Sequence, residues 1–159
     1  MQKITLVCVG RLRESFYIDA ASEYVKRLSR YCKTDIVELP ETRLPERPAP
    51  AQIRAALEKE AVLVRKQCPP NAFVTALCIE GQTLSSERFA ELLSDLSARS
   101  ASPVFVIGGS YGLCQSVKDA ASLRLSMSPM TFPHHLARVM LLEQLYRACQ
   151  IQSGGRYHK

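Results

Sequence analysis

Three segments that each follow a short apolar run are the first places where this sequence could carry chemistry. They are Glu80-Gly81-Gln82, Gly108–Leu113 (GGSYGL) and Met127–Phe132 (MSPMTF). In open parallel sheets the ligand cleft lies beyond the carboxyl ends of the strands, where such segments meet. Glycine has no Cβ, so the backbone at Gly108 can approach a flat ligand closely. Taken alone, however, two adjacent glycines more often only turn the chain.

The familiar motifs for binding nucleotides through their phosphates do not occur in the sequence. There is no GxxxxGK[ST] loop, and Gly10 is followed by Arg11 and Leu12 instead of a GxGxxG pattern. The six cysteines form no CxxC pair and lie at no zinc-finger spacing, so no metal site is predicted. A nucleoside would therefore be held by main-chain groups rather than by its phosphates.

The histidines offer few candidates for proton transfer. His134 and His135 begin the longest helical pattern, where the helix dipole favours neutral imidazole. A neutral His134 could accept a proton, although a histidine in a first turn is more often a polar cap. His158 lies in the last three residues, where a disordered tail is the ordinary expectation. Within the long helix, Glu143 is expected to pair with Arg147 at i, i+4.

The elements that must position these residues follow from alternating apolar and amphipathic segments. Apolar runs predict strands at Lys3–Val9, Thr34–Leu39, Ala72–Ile79, Val104–Ile107 and Leu123–Met127. Helical spacing predicts helices at Ser15–Arg30, Ala51–Gln67, Ser85–Arg99, Gln115–Ser122 and Pro133–Gln152. Glu41–Pro50 (ETRLPERPAP) is expected to be an exposed connection. The alternation predicts an α/β fold in which helices flank a mostly parallel sheet.

Composition and charge limit the classes of protein to which this sequence can belong. The 159 residues suffice for one domain, and 21 Lys and Arg against 15 Asp and Glu give a net charge of +6. This charge permits a partner with a phosphate backbone, and it fits a solvated surface equally well. The apolar stretch Ile4–Val9 is too short for a signal peptide, and no run approaches the ~20 apolar residues of a membrane span. With its unpaired cysteines, the chain is predicted to be cytoplasmic.

Five segments, in the same order, resemble the RlmH family of SPOUT-superfamily methyltransferases. Members of that family methylate N3 of a pseudouridine in large-subunit (23S) ribosomal RNA. The resemblance covers essentially the whole chain. It is carried by Ile4–Leu12 (ITLVCVGRL), Phe105–Leu113 (FVIGGSYGL), Leu125–His134 (LSMSPMTFPH), Arg138–Ala148 (RVMLLEQLYRA) and the ending Tyr157-His158-Lys159.

The resemblance implies a fold and an assembly. The fold would be a SPOUT-type α/β knot, in one domain over residues 1–159, with a C-terminal trefoil knot in about residues 72–159. Such threading is an exception among proteins. The protein would be a homodimer with its last helix at the interface, and the RNA site would use both subunits. Its substrate would be the assembled ribosome, with neither DNA nor a membrane as partner.

The resemblance also implies a cofactor and site residues. S-adenosylmethionine would contact Leu77, Gly108, Met127, Ser128, Pro129, Met130, Thr131 and Phe132. On the substrate side, Tyr157 and His158 would meet the nucleobase, and Arg138 would stabilise negative charge or hold a phosphate, although it could also be a surface arginine. A non-catalytic ribosome-binding factor with the same fold is the alternative, and affinity for S-adenosylmethionine distinguishes the two. A Rossmann-type enzyme is disfavoured because the first strand lacks its glycine motif.

Overall fold

Five strands and five helices alternate along the chain in the computed structural model, which describes residues 2–159. Every predicted element is present, with small shifts at most ends. The strands are β1 (Gln2–Val9), β2 (Cys32–Leu39), β3 (Ala72–Thr83), β4 (Ser102–Ile107) and β5 (Leu123–Ser126). The helices are α1 (Ser15–Leu28), α2 (Pro50–Lys66), α3 (Ser86–Ala98), α4 (Gln115–Ala120) and α5 (His134–Gln152).

The five strands form one sheet in the order β2-β1-β4-β3-β5, and every pairing is parallel. The predicted parallel α/β architecture is thereby confirmed. Helices α1, α3 and α5 cover one face of the sheet, and α2 and α4 cover the other. The central strands are accordingly apolar, with Leu6, Val7 and Val106 fully buried. All five carboxyl ends lie along one edge of the sheet.

Helix α5 anchors the larger of the two core layers. Its residues Leu141, Leu142, Leu145 and Ala148 are fully buried among side chains from α1, α3 and the sheet. Each fully buried leucine stabilises the fold by about 1.5–3 kcal/mol relative to an exposed one. Within residues 2–159, no helix is long and apolar enough to cross a membrane.

Strand β3 differs most from its prediction. The segment Glu80–Gln82 was expected to be a loop, but β3 continues to Thr83. The pairing of β3 with β5 is interrupted between Leu77 and Gln82, so the residues between them leave the ladder. A Cβ on Gly81 would lie only 2.7 Å from the Leu125 carbonyl carbon. Glycine therefore lets the two strands approach here, and residues of the bulge line a cleft at the carboxyl edge of the sheet.

Candidate active site

A cleft of about 750 Å³ opens at the carboxyl ends of β3 and β4. This volume is in the range of sites that enclose a cofactor-sized ligand. The cleft brings together parts of all three segments singled out in the sequence. Its lining comes from Leu77–Glu80 of β3, Ile107–Leu113 after β4, Lys118 of α4 and Thr131–His134 at the start of α5.

The turn Gly109–Gly112 forms one wall of this cleft and is fixed by its own chain. The Gly112 N–H donates to the Gly109 carbonyl at 3.1 Å, and Gly112 has φ +77°, which favours glycine. A Cβ on Gly108 would overlap the Gly112 carbonyl. The Glu41 carboxylate accepts from the Ser110 N–H at 2.7 Å and packs against Gly109. These glycines are thus required by the packing of the turn itself, without reference to a ligand.

The same turn, from Gly108 to Gly112, also matches the GxSxG nucleophile motif of hydrolases. A hydrolase also needs a base bonded to the serine and an acid bonded to the base. Within residues 2–159 no hydrogen bond joins the Ser110 hydroxyl to a histidine, and Glu41 binds the Ser110 main chain instead. The arrangement does not assemble a catalytic triad.

The segment Met127–Phe132 reaches the cleft only with its last two residues. Thr131 and Phe132 line the cleft, whereas the Met130 side chain is 72% exposed and Pro129 is also exposed. The segment is held by local hydrogen bonds, because the Ser126 hydroxyl donates to the Ser128 carbonyl at 3.0 Å. The Ser128 hydroxyl in turn accepts from the Met130 N–H at 3.0 Å. Ser128 therefore shapes the loop that presents Thr131 and Phe132.

A second, apolar groove of about 360 Å³ lies between α1, α3 and α5. It includes Met127, which the sequence assigned to the cofactor, together with Phe89, Val139 and Met140. Of the eight residues predicted to contact the cofactor, the 750 Å³ cleft is lined by Leu77, Gly108, Thr131 and Phe132.

One ion pair stands in the cleft. The Lys118 ammonium lies 2.6 Å from the Glu80 carboxylate. The hydrogen bond from Lys118 holds the pKa of Glu80 below its ordinary value. Sequence reasoning missed Lys118 because nothing distinguishes one lysine within a short helix. The pair gives the otherwise apolar and main-chain-lined cleft one fixed charge of each sign. Within residues 2–159 no cluster of three or more His, Cys, Asp or Glu side chains could hold a metal ion.

His134 lies half-buried on the wall of the cleft, directly after Pro133, which caps α5. Burial lowers the pKa of His134, and the positive charge of neighbouring His135 lowers it further. The His135 ring packs edge-on at 4.1 Å between centroids and lies 3.4 Å from the Glu14 carboxylate. For His134 the pKa shift has the predicted direction, but its causes are burial and the charge of His135 rather than the helix dipole. A neutral ring beside the cleft can accept a proton.

Arg138 is buried, with 3% of its surface exposed. Its guanidinium lies 2.7 Å from the Glu38 carboxylate and donates to the Gly10 carbonyl at 3.1 Å. Burial alone would raise the pKa of Glu38, but hydrogen bonds from Arg138 and the Leu12 N–H outweigh it and the pKa is lowered. Arg138 thus ties α5 to the ends of β1 and β2. These contacts favour a positioning role, and direct action on a reacting base stays a prediction.

The C-terminal tail is ordered against α5, contrary to the expectation of a disordered end. The Tyr157 ring packs edge-on against Tyr146 at 4.9 Å, and the Arg147 guanidinium lies 4.8 Å from the Tyr157 ring centre. The Tyr157 hydroxyl donates to Glu143 at 3.1 Å. Burial raises the pKa of Tyr157 to about 12, with hydrogen bonds to Tyr24 and Glu143 adding to it. Tyr157 therefore stays a neutral phenol at physiological pH.

The tail is also joined to α3. His158 Nε2 lies 2.8 Å from the Glu87 carboxylate of α3. The predicted pair of Glu143 with Arg147 is confirmed at 2.6 Å, and it supports the surface on which the tail lies. Neither Tyr157 nor His158 lines the 750 Å³ cleft of its own chain. Within one chain, the predicted substrate-side residues and the predicted cofactor residues are therefore not brought together.

Comparison with known proteins gives consistent matches along the whole chain. The family model described as "Predicted SPOUT methyltransferase" matches residues 2–158. A protein of Streptococcus equi subsp. zooepidemicus named "Ribosomal RNA large subunit methyltransferase H" is 46% identical over 158 residues, covering 99% of both chains. A protein of Clostridium acetobutylicum with the same name is 44% identical over 157 residues, covering 98% of this chain and 99% of the relative.

Solved structures agree on the fold alone, since their sequence identity is low. A probable methyltransferase from Bordetella pertussis superimposes with a TM-score of 0.61 at 14% identity, covering 93% of this chain and 95% of that one. A probable methylase family protein from Haemophilus influenzae gives a TM-score of 0.57 at 14% identity, covering 99% of this chain and 70% of that one.

Proposed function

Because the chain belongs to the SPOUT methyltransferase family, we propose that it methylates N3 of a pseudouridine in large-subunit (23S) ribosomal RNA within the assembled ribosome. The observation that carries the proposal is identity above 40%, over nearly the full length of both chains, with relatives named ribosomal RNA large subunit methyltransferases. It disfavours the alternative of a non-catalytic ribosome-binding factor. The cleft at the carboxyl edge of the sheet supports the proposal, because its volume suits a cofactor-sized ligand.

S-adenosylmethionine, the methyl donor of this family, supplies a sulfonium methyl group activated for transfer. The cleft fits such a ligand by its chemistry as well as by its volume. Leu77, Ile79 and Phe132 offer apolar surface for an adenine ring, and the turn after Gly108 offers main-chain groups. The Glu80–Lys118 pair offers opposite charges to an amino-acid end. We assign Leu77, Gly108, Thr131 and Phe132 to cofactor contact, and Met127, Ser128, Pro129 and Met130 to the loop that carries the last two.

The chain's own residues must position the base and accept the proton that N3 loses. His134 is suited to accept that proton because its ring is neutral and lies at the cleft wall. Tyr157 and His158 would reach a cleft only from a second subunit, since they lie away from the cleft of their own chain. This separation supports a site shared between two subunits. Arg138 would act by holding the Gly10 carbonyl and Glu38 in place.

A homodimer would give the apolar groove a partner. The groove exposes parts of Val139 and Met140 on α5, the helix proposed to lie at the interface. An interface of ordinary size would remove about 800 Å² per subunit from water. We propose a cytoplasmic homodimer whose partner is the ribosome, with a trefoil knot in about residues 72–159. A protein that sediments as a monomer at micromolar concentration would contradict the dimer.

The cofactor cleft is tested with two matched variants. Ile79 lines the cleft and Val62 lies on α2 outside the cleft, and both side chains are 49% exposed. Ile79→Glu places a carboxylate in the apolar wall and should weaken S-adenosylmethionine binding at least tenfold, which is about 1.4 kcal/mol. Val62→Glu should leave that affinity unchanged. Calorimetric titration that finds equal affinity for both variants would place the cofactor elsewhere.

Methyl transfer is tested with ribosomes that lack the modification. The protein should transfer labelled methyl from S-adenosylmethionine to large-subunit RNA in assembled ribosomes, and far less to free RNA. Ile79→Glu should reduce transfer at limiting cofactor, whereas Val62→Glu should not. A protein that binds S-adenosylmethionine but labels free RNA as fast as ribosomes would contradict the proposed substrate.

A further inference from the structure

A second cleft, of about 640 Å³, adjoins the proposed cofactor cleft. The two clefts share Ser110 and Tyr111 at the tip of the turn after β4. The walls of the second cleft come from the end of β1, the Pro-rich connection after β2, and α2. We propose that this cleft binds the phosphates of the RNA strand next to the target nucleotide, with Arg11, Arg13 and Arg43 as ligands. The proposal rests on the proposed RNA methylation.

The carboxylates of this cleft are already engaged within the protein. Glu38 is paired with Arg138 at 2.7 Å, and Glu41 accepts from the Ser110 N–H at 2.7 Å. Glu60 is 6% exposed, and its carboxylate accepts a hydrogen bond from the Thr42 N–H at 3.3 Å. Burial raises the pKa of Glu60, and the charge of Glu41 raises it further. Each of these three carboxylates is thus held by a donor of the protein itself, and the buried Glu60 offers little surface to a ligand.

The three arginines of the same cleft are free by contrast. Arg11, Arg13 and Arg43 are exposed, and in the part of the chain that the structure describes none of them has a carboxylate within ion-pair distance. The cleft thus contains carboxylates that already bind groups of the protein and three guanidinium groups that are available to a ligand. Guanidinium is planar and donates two parallel hydrogen bonds, a geometry that matches phosphate oxygens. With Glu38 paired to Arg138, three arginines face the two carboxylates of Glu41 and Glu60, so the formal charge of the lining is positive.

Arg11 and Arg13 belong to a chain segment whose backbone is fixed by hydrogen bonds. The Gly10 N–H donates to the Leu39 carbonyl at 2.7 Å, and the Gly10 carbonyl accepts from Arg138 at 3.1 Å. Two residues later, the Leu12 N–H donates to Glu38 at 3.1 Å. The flanking arginines therefore leave a fixed segment, so less backbone freedom is lost when a ligand binds.

Tyr111 gives the cleft its selectivity for a nucleic acid over a small anion. Its side chain is 47% exposed at the boundary between the two clefts. An exposed aromatic ring beside cations is the arrangement by which proteins hold single-stranded nucleic acid, with a base stacked on the ring. A strand whose phosphates lie on the arginines could pass over Tyr111 toward the cofactor cleft. RNA is therefore favoured over free phosphate as the ligand.

The test removes the three cations and compares a variant with equal charge loss elsewhere. The test variant carries Arg11→Gln, Arg13→Gln and Arg43→Gln. The control variant carries Arg30→Gln, Lys33→Gln and Arg99→Gln, all exposed residues at the opposite, amino edge of the sheet. Binding of each protein to ribosomes that lack the modification is measured at several salt concentrations, together with methyl transfer and calorimetric affinity for S-adenosylmethionine.

Loss of three phosphate contacts should weaken ribosome binding about 100-fold at 0.1 M salt and reduce the salt slope by about 2. The control should stay within about twofold of wild type, and cofactor affinity should be unchanged in both variants. Equal loss in both variants, or loss in neither, would overturn the proposal. The proposal would also be overturned if the test variant bound inorganic phosphate more weakly but bound ribosomes as well as the wild type does. That result would assign the cleft to a small anion. If the wild type binds ribosomes but transfers no methyl, the proposed function fails while the binding comparison still decides this inference.

Discussion

Replacing Arg138 by methionine tests whether this arginine holds the site together or acts on the substrate. Methionine keeps most of the volume but removes the bonds to Glu38 and to the Gly10 carbonyl. A charge-assisted hydrogen bond contributes about 1.5–3 kcal/mol and a neutral one about 1 kcal/mol. Because the Glu38 side chain is 35% exposed, solvent screens part of the first contribution. We expect a loss of about 3 kcal/mol in the free energy of unfolding.

For a chain of this length, about 3 kcal/mol lowers the melting temperature by roughly 6–12 °C. The pKa of Glu38 lies below its ordinary value, so the pair stabilises the protein above about pH 4.5 and loses that effect as pH falls. The difference between Arg138→Met and wild type should therefore shrink in acid.

A double-mutant cycle with Glu38→Gln isolates the pair. We expect a coupling free energy of about 2 kcal/mol from urea unfolding at pH 7.5, whereas independent residues add within about 0.5 kcal/mol. Additivity would refute the structural pair. An Arg138→Met protein with the wild-type melting temperature but no methyl transfer would refute the positioning role and place the guanidinium on the reacting base.

Deleting Arg156–Lys159 removes the bond to Glu87 and the ring packing of Tyr157, which is worth about 0.5–1.5 kcal/mol. Differential scanning calorimetry should show a melting temperature lower by a few degrees, and titration should show an unchanged cofactor affinity. The rate of ribosome methylation should fall at least tenfold, and a full rate would contradict a role of the tail in the substrate site. Gly108→Ala, whose Cβ would overlap Gly112, should lower both stability and cofactor affinity, and unchanged values would contradict the packing of the turn. Since the pKa of His134 is lowered from 6.5, the protein takes up a proton on unfolding below that pH. His134→Asn should therefore flatten the decline in urea stability between pH 6.5 and 5.5, and an unchanged decline would contradict the burial of this ring.

The sequence predicted the fold well because periodicity is local. Each strand and helix carries its own apolar pattern, and Ser85, which begins the predicted helix, caps α3 by accepting from the Arg88 N–H. The pair of Glu143 with Arg147 was also predictable, since one helical turn separates them.

The contacts that build the site could not be predicted, because they join residues far apart along the chain. Glu41 lies in a Pro-rich connection and binds Ser110, 69 residues away. Glu38 and Arg138 are 100 residues apart. The bulge at Gly81 depends on how closely β5 approaches, which no local pattern encodes. A sequence match alone can also mislead. Gly108–Gly112 matches a nucleophile motif, but within residues 2–159 no histidine is hydrogen-bonded to the Ser110 hydroxyl as that motif requires.

Mass spectrometry of large-subunit ribosomal RNA nucleosides tests the central claim most directly. RNA from cells that lack this protein should contain an unmethylated pseudouridine where cells that produce it contain N3-methylpseudouridine. Restoring the wild-type chain should restore the methyl group, and restoring the Ile79→Glu variant should leave it reduced. Identical methylation with and without the protein would contradict the account.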